Sequence, residues 1–167
     1  STYTISFITK NPIPGDGSVL ITFPSDNQIT IKDRNTVISG TTISQGGVAI
    51  LGFTVVPNDA TSPQSITLKL TSAEVPANTN VTIVIPSLRN PNNTASTASF
   101  NVTTLTNDGY GIDSIATGLY LPANSITPSD FRTVSIIPAD SQTGVTTIYT
   151  LRVEPTIAHI ATDKITF

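Results

Sequence analysis

The chain of 167 residues has no cysteine, no methionine and no tryptophan, and its one histidine is His159. Without cysteine there is no disulfide framework, no thiolate nucleophile and no cysteine-bound zinc. A lone histidine has no second histidine or cysteine with which to build the usual zinc site or acid–base dyad. It falls in a short break and reads as a turn or surface residue. Charged residues make up 11%, well under the roughly one quarter of an ordinary domain, so solubility must rest on Ser, Thr and Asn. The net charge is -3 and there is no basic run, so the electrostatic footprint of a nucleic-acid partner is missing. No apolar run approaches the roughly 18 residues that would span a bilayer, and membrane insertion is not expected. The first residue is Ser1, which reads as a processed or excerpted start. No Gly-x-Ser-x-Gly elbow or phosphate-binding loop occurs. Asp26 with Asp33, or Asp59 with Glu74, can be paired on paper as a glycosidase requires. Nothing singles them out, and no catalysis is expected.

What is present is a period of two. Tyr3, Ile5 and Phe7 alternate with Thr4 and Ser6. The same alternation recurs at Val19, Ile21 and Phe23, at Ile66, Leu68 and Leu70, and at Phe100 and Val102. Strands with one buried face and one wet face produce this pattern. The stretch Gly47 to Pro57 is apolar on both faces and predicts a central strand. Breaks such as NPIPGDG, PNDATSP, TNDGYG and IPADSQTG separate the runs. No window of helix length carries a 3.6-residue period. The expectation is an all-β chain of antiparallel strands in sandwich form.

The beginning and the end of the chain share a pattern. Tyr3–Phe23 opens with YTISF and closes with ITF; Tyr149–Phe167 opens with YTLRV and closes with ITF. Tyr149, Leu151 and Val153 take the inward pattern of Tyr3, Ile5 and Phe7, and Ile165 and Phe167 match Ile21 and Phe23. A third echo of this β-hairpin grammar is VPANTNVTIVIPS, in which Pro76, Val81, Ile83, Pro86 and Ser87 keep the spacing of Pro14, Val19, Ile21, Pro24 and Ser25. A further strand pattern, Phe131 to Asp140, precedes Tyr149. Residues 1–125 therefore predict one sandwich lacking its first strand. Residues 126–167 predict the opening strands of a second unit, completed by a neighbouring subunit or repeat. Three strands with an apolar face are marginal alone, so Tyr149, Leu151, Val153, Ile165 and Phe167 are the expected assembly interface.

Smaller signals accompany this pattern. Asn-x-Thr occurs at Asn80, Asn92 and Asn101, the acceptor signal for N-linked glycan; the same residues also serve strand propensity and turns without any sugar. NDGYGID places Asp108 and Asp113 around two glycines, a spacing that offers oxygen ligands to calcium. The rival reading is a hairpin turn, for which Asp-Gly is preferred. No other cofactor is suggested. Tyr110 and Tyr120 are the only tyrosines in loop-like sequence, and flat rings of that kind contact sugars. Tyr3 and Tyr149 fall on the inward pattern and read as core.

Taken together, YTISFITKNPIPGDGSVLITFPS, FNVTTLTNDGYGIDS and SIIPADSQTGVTTIYTLRV resemble the Thr-rich, Cys-free, immunoglobulin-like tandem repeats of large secreted microbial surface and filament proteins. The second copy departs from the first, with Ala158 where Pro14 stands and no PGDG turn. The resemblance implies an immunoglobulin-like β-sandwich, an extracellular or cell-surface location, and a fibre-forming structural role as a homopolymer. It implies no catalysis. The alternative from a different class is an adhesin or carbohydrate-binding surface module, with NDGYGID and RNPNNTAST as the contact surface.

Overall fold

A computed structural model describes residues 1–26, 28–125 and 131–155. The chain divides into two compact units, residues 1–126 and 127–167. The first contains strands β1 (Tyr3–Ile8), β2 (Ser18–Thr22), β3 (Thr30–Ile31), β4 (Thr42–Gln45), β5 (Val48–Ala49), β6 (Phe53–Asn58), β7 (Ser65–Leu70), β8 (Asn80–Ile85), β9 (Leu88–Arg89), β10 (Asn101–Leu105) and β11 (Gly111–Ile115), with one helix, α1 (Arg34–Gly40). The second contains β12 (Phe131–Pro138) and β13 (Tyr149–Pro155).

Unit 1 is an antiparallel, sandwich-like pair of sheets, ordered β1-β8-β4-β5 and β11-β10-β2-β7-β6, with a small β3-β9 pair beside them. The inward residues of the period-two runs meet in one core. Val19, Ile21, Ile66, Leu68, Val81, Ile83 and Ile85 are fully shielded from solvent, and Ile5, Phe7, Phe23, Phe100 and Val102 are buried beside them. Aliphatic residues fill most of the space, and three of the rings meet around Phe100. There Phe23 meets Phe100 edge-on at 5.7 Å, and Tyr3 lies 6.2 Å from Phe100. The all-β, sandwich-form expectation therefore holds.

Three details differ from the sequence reading. First, the run Tyr3–Phe23 is not a hairpin. β1 pairs with β8 and β2 pairs with β7 and β10, so the Pro-Gly break carries the chain from one sheet to the other. The return crossing, from β7 to β8, passes through Val75. The two crossings meet: Ile13 N–H donates to the Val75 carbonyl at 2.8 Å and Val75 N–H to the Ile13 carbonyl at 2.9 Å. Both side chains are fully buried, and each is followed by a proline. The echo around Pro14 and Pro76 thus marks β2 and β8 as corresponding inner strands, one per sheet. Gly17 is required at the first crossing, because a Cβ there would stand 2.7 Å from the Leu105 carbonyl oxygen.

Second, Gly47–Pro57 is not a central strand. It forms β5 and β6, each at the end of a different sheet. Ile50 is buried between them, but Leu51 is 90% exposed and Val48 68% exposed. A run apolar on both faces here reflects a sheet switch, and Val48, Leu51 and Val56 stay wet. Third, there is a helix. Its seven residues are too few for a period to emerge, but the ends are well made. Asp33 accepts from Asn35 N–H at 2.9 Å and Thr36 N–H at 3.3 Å, as an N-cap does. Those hydrogen bonds, led by the one from the Thr36 hydroxyl, hold the Asp33 carboxyl below the usual range. Val37 is the buried anchor, and Thr41 returns both N–H and hydroxyl to its carbonyl.

The burial contrast gives a direct test. Leu68→Ala opens a cavity where the side chain is fully shielded and should cost about 2–5 kcal/mol. Leu51→Ala, from the 90% exposed position, should stay within about 0.5 kcal/mol. Denaturant midpoints at constant m-value read both; equal effects would mean that the chain is threaded differently through the two sheets.

Candidate assembly surfaces

The second unit is a two-stranded ribbon. β12 and β13 pair antiparallel, with Val134 opposite Val153, Ile136 opposite Leu151 and Pro138 opposite Tyr149. Residues directly opposite share a face, so this face is apolar throughout. The other face carries Thr133 with Glu154, Ser135 with Arg152, and Ile137 with Thr150. There Glu154 accepts from Arg132 at 3.1 Å and from the Thr133 hydroxyl at 3.4 Å. The connecting turn is closed by Ala139 N–H on the Ile148 carbonyl and Asp140 N–H on the Thr147 hydroxyl, with Gly144 at φ +80.

The apolar face is wet. Val134 is 59% exposed, Ile136 66%, Tyr149 65% and Leu151 38%, while Val153 is half-buried. Tyr149, Leu151 and Val153 are therefore together on one face, as their alternation requires, but among the described residues Tyr149 is exposed and not part of the core. Ile165 and Phe167, and with them His159, lie outside the described residues.

The matching residues of unit 1 have the opposite environment. Ile5 and Phe7 are buried, and the half-buried Tyr3 donates its hydroxyl to Asn90 Oδ1 at 3.1 Å. Burial pushes the Tyr3 phenol up from its ordinary value. One sequence pattern thus appears once with a covering sheet and once with its face open.

The loop sites separate from one another. Asp108 is exposed in a turn where Thr106 N–H donates to the Tyr110 carbonyl, Gly109 N–H donates to the Thr106 carbonyl, and Gly109 takes φ +84. This is the hairpin geometry that Asp-Gly favours. Asp113 is engaged elsewhere. Its carboxylate accepts from Lys10 N–H at 2.9 Å, Asn11 N–H at 3.0 Å and the Asn11 amide at 2.8 Å. Partial burial pushes its pKa up, but the bonds from Asn11 and Lys10 outweigh this and the net shift is downward. Asp113 thus clips the end of β1 to β11. Among the described residues no group of three or more His, Asp or Glu is placed to hold a metal.

Asn80 and Asn92 are exposed, the first at the start of β8 and the second in a loop. Asn101 points outward on β10 but is half-buried, and its Oδ1 accepts from Thr103 and Ser114 hydroxyls. Tyr110 is 74% exposed and Tyr120 51% exposed. Among the described residues no helix is long and apolar enough to cross a membrane. No family model matches the chain, and neither the curated proteins nor the solved structures compared with it gave a match.

The Asp113 clip carries a pH signature. A carboxyl whose folded pKa is depressed stabilises the fold above its unfolded value of about 3.9, and that stabilisation is lost as pH falls through the folded pKa. Asp113→Asn should therefore lower the denaturant midpoint near neutral pH. The gap to the parent should close in acid below both pKa values. A gap that is unchanged in acid would mean that the carboxylate charge plays no part.

Proposed function

We propose that the chain is a structural subunit of an extracellular fibre or surface filament, joined to its copies through shared, immunoglobulin-like β-sandwich units. The observation that carries this reading is the open apolar face of the β12–β13 ribbon. Val134, Ile136, Tyr149 and Leu151 stand together on it, each more than a third exposed. Monomers rarely tolerate such a patch. Burying each large side chain contributes about 1.5–3 kcal/mol, set against an association cost of about 4–15 kcal/mol. Several must be covered together for a stable joint, and the ribbon presents them as a block. Joining the C-terminal unit of one copy to the N-terminal unit of the next is a heterologous contact, which propagates unless it closes into a ring. The same architecture would serve if the joint were covalent, between tandem repeats of a longer polypeptide.

Outward-facing Ser, Thr and Asn would then form the wet surface. The exposed Asn92 and Asn80 are the better placed of the three glycan candidates, with Asn101 partly enclosed by its hydroxyl partners. A second reading, a sugar-binding adhesin, is favoured by the exposed ring of Tyr110 at the tip of the β10–β11 hairpin. Glycan binding lost in Tyr110→Ala would support that reading over the first.

The fibre reading predicts an asymmetric pair of mutants. Leu151→Asp sets a charge in the layer to be buried, where desolvation without a partner is costly. Thr150→Asp, one residue away, lies on the opposite face of the ribbon. Negative-stain microscopy should show fibres with Thr150→Asp and none with Leu151→Asp, with the unfolding transition of unit 1 unchanged in both. Equal loss would mean that the faces are assigned wrongly, and equal survival would remove this ribbon from the joint.

A further inference from the structure

We propose that the open edge of β1 is a strand-acceptor site, and that its occupant is β12 of a second copy of this chain. The site rests on the fibre reading for its biological sense, and the hydrogen-bond parity of β1 and β13 defines it. Just beyond the two ends of β1, Thr9 N–H donates to the Thr79 carbonyl, and Ser1 exchanges bonds with Leu88. An antiparallel ladder alternates the direction of its main-chain groups, so the odd-numbered residues of β1 face β8. Thr4, Ser6 and Ile8 turn their N–H and C=O groups to the open side. In β13, Ile148 at the strand's entry accepts from Ala139 of the turn, so Thr150, Arg152 and Glu154 face β12.

The sequence match places Tyr149, Leu151 and Val153 on Tyr3, Ile5 and Phe7. It therefore places Thr150, Arg152 and Glu154 on Thr4, Ser6 and Ile8. β12 sits on the edge of β13 that corresponds to the unused edge of β1. Transferred in register, Val134 comes beside Phe7, Ile136 beside Ile5 and Pro138 beside Tyr3. The apolar side chains of β12 then extend the inward layer of the sandwich.

The four ends of the two main sheets of unit 1 also differ in how they are guarded. β5 is two residues long. β6 carries Pro57. β11 is interrupted by a register shift against β10 and carries Asp113. Short length, proline, irregularity and charge are the usual protections of an edge. β1 has six residues, Tyr-Thr-Ile-Ser-Phe-Ile, with none of them. Moving β12 from β13 to β1 exchanges a two-stranded ribbon, marginal in water, for an edge backed by a packed core. Tyr149, Leu151 and Val153 stay on β13 and are not covered by this contact, so the strand-acceptor site is a distinct state of the joint from the intact ribbon docked as a block. Affinity would come from the main-chain ladder and register from the alternate apolar side chains, as in strand addition generally.

The full chain has no cysteine, so engineered thiols report cleanly. Ser135 lies opposite Arg152, hence opposite Ser6 after transfer, and both serines are off the apolar faces. Ser6→Cys and Ser135→Cys are made as separate full-length proteins, one labelled with heavy nitrogen. They are mixed under mild oxidation and the mixed dimer is measured by mass spectrometry. Because a disulfide requires Cα atoms about 4.4–6.8 Å apart, this pair should cross-link about tenfold faster than Ser6→Cys with Thr133→Cys, one register step away. Equal rates for the two pairs mean random collision and overturn the assignment. A single chain carrying both Ser6→Cys and Ser135→Cys that closes on itself, with no product between the single variants, overturns it too. Fibres without the cross-link would sink this site and leave the fibre reading standing. The cross-link in particles that never lengthen would support the site and sink the fibre.

Discussion

Two main-chain hydrogen bonds between Ile13 and Val75 tie together two of the places where unit 1 crosses between its sheets. Everything else in the sandwich is arranged around that knot. Before it stands β1 and after it β2, in opposite sheets; before the return stands β7 and after it β8, again in opposite sheets. A buried N–H without a partner would cost about 1–3 kcal/mol, and the two crossings satisfy each other. Neither needs a water molecule or a polar side chain in the core. The prolines that follow, Pro14 and Pro76, fix the direction in which each strand leaves. With β2 and β8 held as inner strands, the remaining strands have defined places to pair.

The two units put one side-chain pattern in two environments. Tyr3, Ile5 and Phe7 lie under a second sheet, while Tyr149, Leu151 and Val153 stand on an open face. The alternation is a property of the strand alone, but burial depends on what lies opposite. Unit 1 supplies that opposite layer from its own β10 and β2. The described part of unit 2 consists of β12 and β13, which have faces but too few strands to make a layer between them.

Period-two alternation made the faces legible. Ile5, Val19, Ile66, Val81 and Val102 were all placed inward by spacing, and all are buried. Adjacency was not legible, because alternation says which way a side chain points and nothing about which strand lies beside it. For that reason Tyr3–Phe23 reads as a hairpin when its halves lie in different sheets. Helix α1 left only its cap, Asp33, ahead of a single buried anchor, too little for a periodic signal. The role of Asp113 was equally hidden. Its partners, Lys10 and Asn11, are about a hundred residues away in sequence, and no local pattern announces a contact made by folding. The Asp-Gly turn at Asp108 was readable because its chemistry is entirely local.

The strand prolines bear on shape at a larger scale. Thr71 N–H donates to the Gly52 carbonyl, which by alternation turns the ring nitrogen of Pro57 away from β7, to the outside of β6. Pro138 stands the same way on β12, its nitrogen turned away from β13. Each sheet that ends on one of these strands ends on a row with a donor missing. Stacking a further molecule side by side would have to bridge that gap. In a fibre of the kind proposed, the missing donors on β6 and β12 would work against sideways thickening at those two strands, which separates a thread of countable width from an amyloid-like deposit.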